Sequence, residues 1–318
     1  MSLASPPKRV VLAGGSGYLG SLLANSFTKD GWQVFLLTRS PRERAVAGQE
    51  EVFWDGNNPG RWTEVLEGSD CLVNLSGRSV DCRYTPANRQ QILDSRLGST
   101  RALIDAVSSC TNAPKVWLNA SSMALYGEHH GDGEAFDEYS PTDGKGFLEE
   151  VTQAWESVFF EESPACVRKI CLRISFVLGR KSGAFPLLAK FARLGLGGSQ
   201  GSGKQWMSWI HEDDFVQIVR FLIRQDKMEG AINLAAPTPL TNSEFMHCLR
   251  RKLAPLGIGF PAPAFAVKMG CFLIGSAPEL ALQSRKVRSQ KLVDAGYSFL
   301  FPGVQEAVRD LVGGGVPN

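Results

Sequence analysis

The chain has 318 residues, 43% hydrophobic and 21% charged, with a formal net charge of +2. Such a composition is globular, its charge balance argues against nucleic acid or another polyelectrolyte as partner, and no apolar run is long enough to span a bilayer. Seven cysteines, odd in number and without a Cys-x-x-Cys pair, argue against a disulfide framework or a metal site and for a reducing, cytoplasmic setting. Residues 1–8 are rich in Pro and Ser and lack the apolar stretch of a secretory leader. Residues 265–276 form the most apolar late stretch, interrupted by Lys268.

The first predicted element is a buried strand, Arg9-Val10-Val11-Leu12, which runs into Ala13-Gly14-Gly15-Ser16-Gly17-Tyr18-Leu19-Gly20 and a helix over 18–30. Gly14, Gly17 and Gly20 are three apart. Glycine permits the sharp exit from a strand and a close backbone approach to a pyrophosphate, while the free N–H groups of the helix start face the phosphate oxygens. A second strand over 33–37 ends in Thr38-Arg39-Ser40. An acidic residue near here would bind the ribose of NAD. Arg39, with Arg42 and Arg44 close in sequence, instead suits the extra phosphate of NADP, unless the three arginines only form a solvated loop.

Further strands are predicted over 52–54, 71–75 and 116–120, with a short helix over 62–67 and a long one over 91–107 that contains Gln91 and Arg96. Leu75-Ser76-Gly77 leaves the fourth strand where strand ends line a ligand crevice. The fifth strand runs through Ala120 into Ser121-Ser122-Met123-Ala124-Leu125-Tyr126-Gly127. A polar loop follows over 128–144, then a helix over 146–160 and a strand over 169–174. The alternation predicts an α/β fold, a doubly wound parallel sheet of Rossmann type. Beyond it come a helix over 184–194, a glycine cluster over 195–203, an amphipathic helix over 213–224 and a strand over 231–234. Thr241-Asn242-Ser243-Glu244 has the form of a capping box that opens a helix. The remainder is Pro-punctuated and mainly helical, and Arg285-Lys286-Val287-Arg288 reads as a solvated face.

Taken together, these residues resemble an extended short-chain dehydrogenase/reductase, and within that family the atypical epimerase branch related to NAD(P)-dependent sugar-nucleotide epimerases. The likeness rests on Gly14 through Gly20, Asn74-Leu75-Ser76-Gly77, Ser121-Ser122, Val177-Leu178-Gly179, Leu196-Gly197-Gly198, Trp209-Ile210-His211 with Asp213-Asp214, Gln283 through Arg288, and Phe301-Pro302. It implies an NADP-binding Rossmann domain over 1–239, with substrate-side segments from about 180, and a small helical region over 240–318. It also implies that Gly14, Ser16, Gly17, Tyr18 and Leu19 hold the pyrophosphate, and that Thr38 and Arg39 meet the 2′-phosphate. Leu75, Ser76, Gln91 and Arg96 would then flank the adenosine side, with Ala120 and Val177 near the nicotinamide.

The resemblance also brings an expectation that fails in the sequence itself. Members carry a Ser/Thr with a Tyr-x-x-x-Lys pair, in which the Tyr is the acid/base and the Lys lowers its pKa. Ser122 matches the serine, but Leu148 and Thr152 stand where the pair belongs. The remaining candidates for proton transfer are Tyr126, Tyr139, Glu128, His129, His130 and His211; Tyr126 could equally be a packed aromatic and His211 a helix cap. Trp206 and Trp209 either stack on a planar ligand or belong to the core. Two readings stay open: an NADP(H)-dependent oxidoreductase or epimerase acting on a small carbonyl or nucleotide-linked molecule, and a non-catalytic NADP(H) sensor. The oligomeric state is not legible in the sequence.

Overall fold

A computed structural model describes residues 7–42, 46–254 and 257–313. Its centre is a seven-stranded, wholly parallel sheet. The strands are β1 (Arg9–Ala13), β2 (Gln33–Thr38), β3 (Gln49–Phe53), β4 (Cys71–Asn74), β5 (Val116–Ser122) and β6 (Arg168–Ile174), joined by the later strand Gly230–Leu234, and the order across the sheet is 3-2-1-4-5-6 followed by that last strand. Helices α1 (Tyr18–Lys29), α2 (Pro86–Ser108) and α3 (Phe147–Glu162) connect these strands. The order reverses between β1 and β4, and in an open α/β sheet that switch point is where a crevice opens beyond the strand ends.

The strands are apolar on both faces because both are covered. Val10 and Leu12 of β1 face a layer built with Leu23 and Phe27 of α1 and with Phe215 and Val219 from a later helix. Val11 and Ala13 face the opposite layer, with Leu103 of α2, Phe159 of α3 and Trp62. The period of two therefore divides one short strand between two cores.

Beyond β6 the chain builds a second lobe and returns to the sheet. In order come β7 (Phe176–Leu178), α4 (Phe185–Arg193), β8 (Trp206–Met207), β9 (Trp209–His211), α5 (Glu212–Arg224), which packs on the sheet, β10 (Gly230–Leu234), its seventh strand, and β11 (Leu240–Thr241). Helices α6 (Asn242–Leu253), α7 (Ala264–Ile274), α8 (Glu279–Leu282), α9 (Gln290–Asp294) and α10 (Val304–Gly313) complete the lobe. Thr241 and Glu244 form a reciprocal capping box at the start of α6. Leu178, Phe185 and Ala192 share one core with Phe245, Leu249, Val308 and Leu311, so packing runs without a break across the 239/240 boundary drawn from the sequence. The short strands β7, β8, β9 and β11 pair in twos outside the main sheet, and at two or three residues each they are below the length at which alternation shows in a sequence.

The Arg285–Arg288 stretch corrects the sequence reading. Arg285 donates to the carbonyls of Ala124 (2.8 Å) and Gly127 (3.0 Å) and to Glu149 (2.8 Å). Val287 is fully buried and Lys286 lies over the Trp206 ring. These residues are a clasp between the C-terminal segment and the turn after β5, and no solvated face.

Glycine spacing also carries packing. A Cβ at Gly20 would stand 2.6 Å from Gly15 Cα and 2.8 Å from the Gly14 carbonyl oxygen. Gly20→Ala is expected to destabilise by about 1–3 kcal/mol through overpacking, read as a fall in Tm. Gly270→Ala, where a Cβ would meet nothing within 4 Å, should leave Tm unchanged or higher, since alanine is the better helix former.

Candidate nucleotide site at the strand ends

The turn after β1 is shaped by what it lacks. Gly14 has φ +73°, and a Cβ there would lie 2.9 Å from the Leu75 carbonyl carbon. Its left-handed backbone and its contact with β4 therefore both require glycine. Gly17 precedes α1 without any side-chain cap, and the first helical bond to reach back to it runs from the Ser21 N–H to the Gly17 carbonyl (2.8 Å). The N–H groups of Tyr18, Leu19 and Gly20 lie ahead of that bond. An uncapped helix start with a positive dipole end is an anion site in form.

Around it stand the other strand ends. Thr38 is buried and its hydroxyl donates to Ser16 Oγ at 3.3 Å. Arg39 follows, exposed and with no protein partner among the described residues. Arg42 is already committed to Glu51, with Nε 2.6 Å from Oε1 and its backbone N–H 2.8 Å from Oε2. Arg44 lies outside the described residues. Of the two arginines that lie among the described residues, Arg39 is thus the one without a partner there.

At the end of β4, Asn74 donates from Nδ2 to Asn119 Oδ1 across the strands (2.7 Å) and accepts the Ser76 N–H (3.0 Å). The two asparagines are register partners. Their pairing satisfies two buried amides and fixes where Leu75 and Ser76 leave the sheet. The Ser76 hydroxyl is buried without a protein partner. Gln91 is exposed on the first turns of α2. Arg96 is drawn inward: Nη1 donates to the carbonyls of Arg78 and Ile92, both at 3.0 Å, and the guanidinium lies over the Trp155 ring. Burial lowers its pKa to about 10. It supports the Gly77-Arg78 backbone from below, behind the position on the adenosine side that the resemblance implies.

Ser122, the last residue of β5, accepts the Ala124 N–H on Oγ at 3.1 Å. Its own proton has no protein acceptor among the described residues, so the hydroxyl can donate. Tyr126, offered from the sequence as a catalytic residue, is instead a buried strut. Its hydroxyl donates to Asn233 (3.0 Å) and accepts from Arg173 (2.8 Å), and its ring stacks on Phe136. Burial pushes its pKa up to about 12. His129 is buried against the Glu134 carbonyl, while Glu128, His130 and Tyr139 are exposed. Leu148 and Thr152 sit on α3 as the spacing placed them, and the Thr152 hydroxyl is tied back to the Leu148 carbonyl at 2.7 Å. Trp209 is wholly buried core, and Trp206 donates to the Gly131 carbonyl.

Two polar clusters were missed in the sequence. One holds Glu156 between Arg173 (3.0 and 2.8 Å) and the Ser121 hydroxyl (2.5 Å). The other joins Tyr18 to the second lobe. The Tyr18 hydroxyl donates to Glu212, Arg180 pairs with Glu212 (2.5 Å) and with Asp310 on α10, and His211 caps α5 through Asp213 N–H (3.1 Å). Gly179 leaves room for the Tyr18 ring, since a Cβ there would sit 2.5 Å from its oxygen. His211, Asp213 and Asp310 are the one group among the described residues with metal-ligand spacing. Arg180 already answers two neighbouring carboxylates, which argues against a cation there. Burial lowers the His211 pKa to about 4, so the ring is neutral at pH 7. Burial, with Asp213 and Asp310 nearby, raises that of Glu212 to about 7. The signal for the first was a charged residue inside an otherwise apolar run, Arg173 between Leu172 and Ile174; the second has none, since Glu212 stands in the polar run His211-Glu212-Asp213-Asp214 and Arg180 beside Lys181.

With the geometry in place, the family comparison is decisive. The profile of the NAD dependent epimerase/dehydratase family matches residues 10–235. The chain belongs to that family. A domain of unknown function (DUF1731) matches residues 262–311. The epimerase family protein SDR39U1 homolog of Arabidopsis thaliana, named chloroplastic, is 30% identical over 95% of this chain and 86% of its own length. The human epimerase family protein SDR39U1, crystallised with NADPH, superposes with a TM-score of 0.81 at 27% identity, covering 96% of this chain and 99% of that one. A nucleoside-diphosphate sugar epimerase from Corynebacterium glutamicum gives 0.75 at 28% identity, over 96% of this chain and 58% of that one. Among the described residues no helix is long and apolar enough to cross a membrane.

The raised pKa of Glu212 sets a pH dependence. A carboxyl whose folded pKa exceeds its unfolded value contributes stability at low pH, which is lost as pH climbs from about 4.5 through about 7. Glu212→Gln should remove that loss. In thermal melts from pH 5 to pH 8, the Tm of the variant minus that of the wild type is expected to move steadily in the variant's favour.

Proposed function

We propose that the chain binds NADP(H) across the β1/β4 switch point and acts as an oxidoreductase or epimerase on a small carbonyl or nucleotide-linked molecule. The observation that carries the reading is the uncapped start of α1 beside Gly14, whose missing Cβ opens the turn, with Arg39, exposed and without a partner among the described residues, one strand along. The buried, unpartnered Ser76 hydroxyl supports it too. The amides of Ser16, Tyr18 and Leu19 would take the pyrophosphate, with Gly14 and Gly17, whose own N–H groups are bonded to the Leu37 and Gly14 carbonyls, giving the close backbone approach. Thr38 and Arg39 would meet the 2′-phosphate, and Leu75, Ser76 and Gln91 the adenosine side, with Arg96 behind them. Ala120 and Val177 would border the nicotinamide, which when bound supplies or accepts the hydride. Ser122 would donate its free proton to a substrate oxygen. With Leu148 and Thr152 unable to titrate, the transferred proton falls to water or to the exposed Glu128 or His130. Seven free thiols fit a reducing compartment; with a plant relative named chloroplastic, the proposal extends no further than that.

A second reading, an NADP(H)-binding sensor without turnover, is favoured by one observation. The Thr152–Leu148 hydrogen bond fills the acid–base positions with a self-satisfied, uncharged pair.

Fluorescence titration tests the cofactor. Arg39→Ala should weaken NADPH by roughly 10–100-fold, the worth of a charged hydrogen bond, and NADH far less; equal weakening of both would remove the phosphate assignment. NADPH oxidation against a panel of ketones, aldehydes and nucleotide sugars tests the chemistry. Turnover that drops by roughly 10²-fold in Ser122→Ala supports the enzyme. Tight NADPH binding with no turnover on any of them supports the sensor.

A further inference from the structure

Helix α7 is inverted relative to an ordinary surface helix. Its one fully buried side chain is Val267. Phe265, Met269, Phe272 and Leu273, spaced i, i+4, i+7 and i+8, form a stripe on the opposite side and are 74, 59, 59 and 75% exposed. The helix is held firmly with that stripe outward. At its N-terminal side, the Phe260 N–H donates to the Gly195 carbonyl (3.0 Å), and Ala262 accepts the Gly201 N–H (2.8 Å) and donates to the Ser199 carbonyl (2.9 Å) of the same glycine loop. At its C-terminal end Arg83 donates to the Phe272 carbonyl (2.7 Å) and lies over its ring, and Ser276 bonds Asp81. The segment is clamped at both ends, so the apolar stripe cannot roll inward to be buried.

We propose that this stripe is the contact between two copies of the chain, packed as an antiparallel α7 pair about a two-fold axis near Met269. Phe265 of each copy then faces Leu273 of the other, the reciprocity that a two-fold interface demands. Area agrees with this occupant. The stripe offers roughly 500 Å² from each copy, on the order of 1,000 Å² for the pair, which reaches the lower limit for a specific interface. Charge does not point to a membrane. The polar groups that meet the C-terminal end of α7, Arg83 at the Phe272 carbonyl and Asp81 at Ser276, carry one charge of each sign, and α7 itself adds a single cation, Lys268. A helix made for anionic lipid carries a larger excess of Lys and Arg. The inference does not depend on the nucleotide site.

Sedimentation velocity of the full chain between about 1 and 100 μM decides it. The wild type is expected to be dimeric at the upper end. Phe265→Glu and Leu273→Glu should each raise the dimer dissociation constant at least 100-fold, while Leu300→Glu, another exposed apolar position, leaves it unchanged. Unaltered NADPH binding, or an unaltered melting curve if none binds, certifies that the variants fold. A monomeric wild type at 100 μM, or a dimer that persists in both glutamate variants, overturns the proposal. So does flotation with phosphatidylserine vesicles by the wild type that is lost in Phe265→Glu, which would assign the stripe to a membrane.

Discussion

The constraint on which the rest of the molecule depends is a buried charge. Arg173 of β6 has a side chain only 8% exposed, and burial opposes its charge. The Glu156 carboxylate on α3 and the Tyr126 oxygen hold it charged and raise its pKa. An ion pair of this kind adds little stability over apolar residues of the same size, but removing one partner strands the other and destabilises by about 3–5 kcal/mol. What the pair supplies is order. Through Ser121, Tyr126 and Asn233 it couples the end of β5, the turn after it, α3 and β10. Glu138 extends the chain of bonds, accepting the N–H groups of Asn233 and Gln290. The strand end that carries Ser122 is thereby set by a network, and not by the turn alone.

The Rossmann sheet was legible in the sequence because its signals are local. Largely apolar runs of four or more residues marked most strands, and glycines after Ala13 marked the first turn; β3 opens in Gln49-Glu50-Glu51, and only its Val52-Phe53 end fell within the strand read over 52–54. Periodicity also located the strand ends at which the glycine loop, Thr38, Arg39 and Ser122 sit, while the roles proposed for Thr38 and Ser122 come from the family resemblance. What failed is long-range. Nothing near Tyr126 announces Arg173, 47 residues away, and nothing near Tyr18 announces Glu212, 194 residues away. Arg285 and Lys286 read as solvated because a run of cations usually is; their carbonyl and carboxylate partners lie more than 130 residues upstream. Arg96 has the same explanation in reverse, a guanidinium that looks free in a helix until Gly77 brings a backbone over it.

The departure from the family pattern also has a structural form. Where a Tyr-x-x-x-Lys pair would present a phenol and an ammonium, α3 presents an apolar side chain and a hydroxyl folded back on its own helix. The substitution leaves no stranded polar group behind, so α3 is as well satisfied here as a helix without that chemistry can be. Binding and chemistry are thus separable in this fold, with the cradle and the proton-transfer positions on different elements.

The clasp formed by residues 284–288 bears on biosynthesis. The loop after β5 gets its backbone partners from Ser284 and Lys286, which accept the N–H groups of His129 and Phe136, roughly 150 residues later in the chain. At about 5–20 residues per second, a ribosome needs on the order of 8–30 s to supply them. Until then the nascent sheet can form while the loop beside Ser122 lacks these partners. Completion of the strand end is therefore a late docking event, and a chain stalled before residue 284 would lack the backbone partners that finish the mouth beside Ser122.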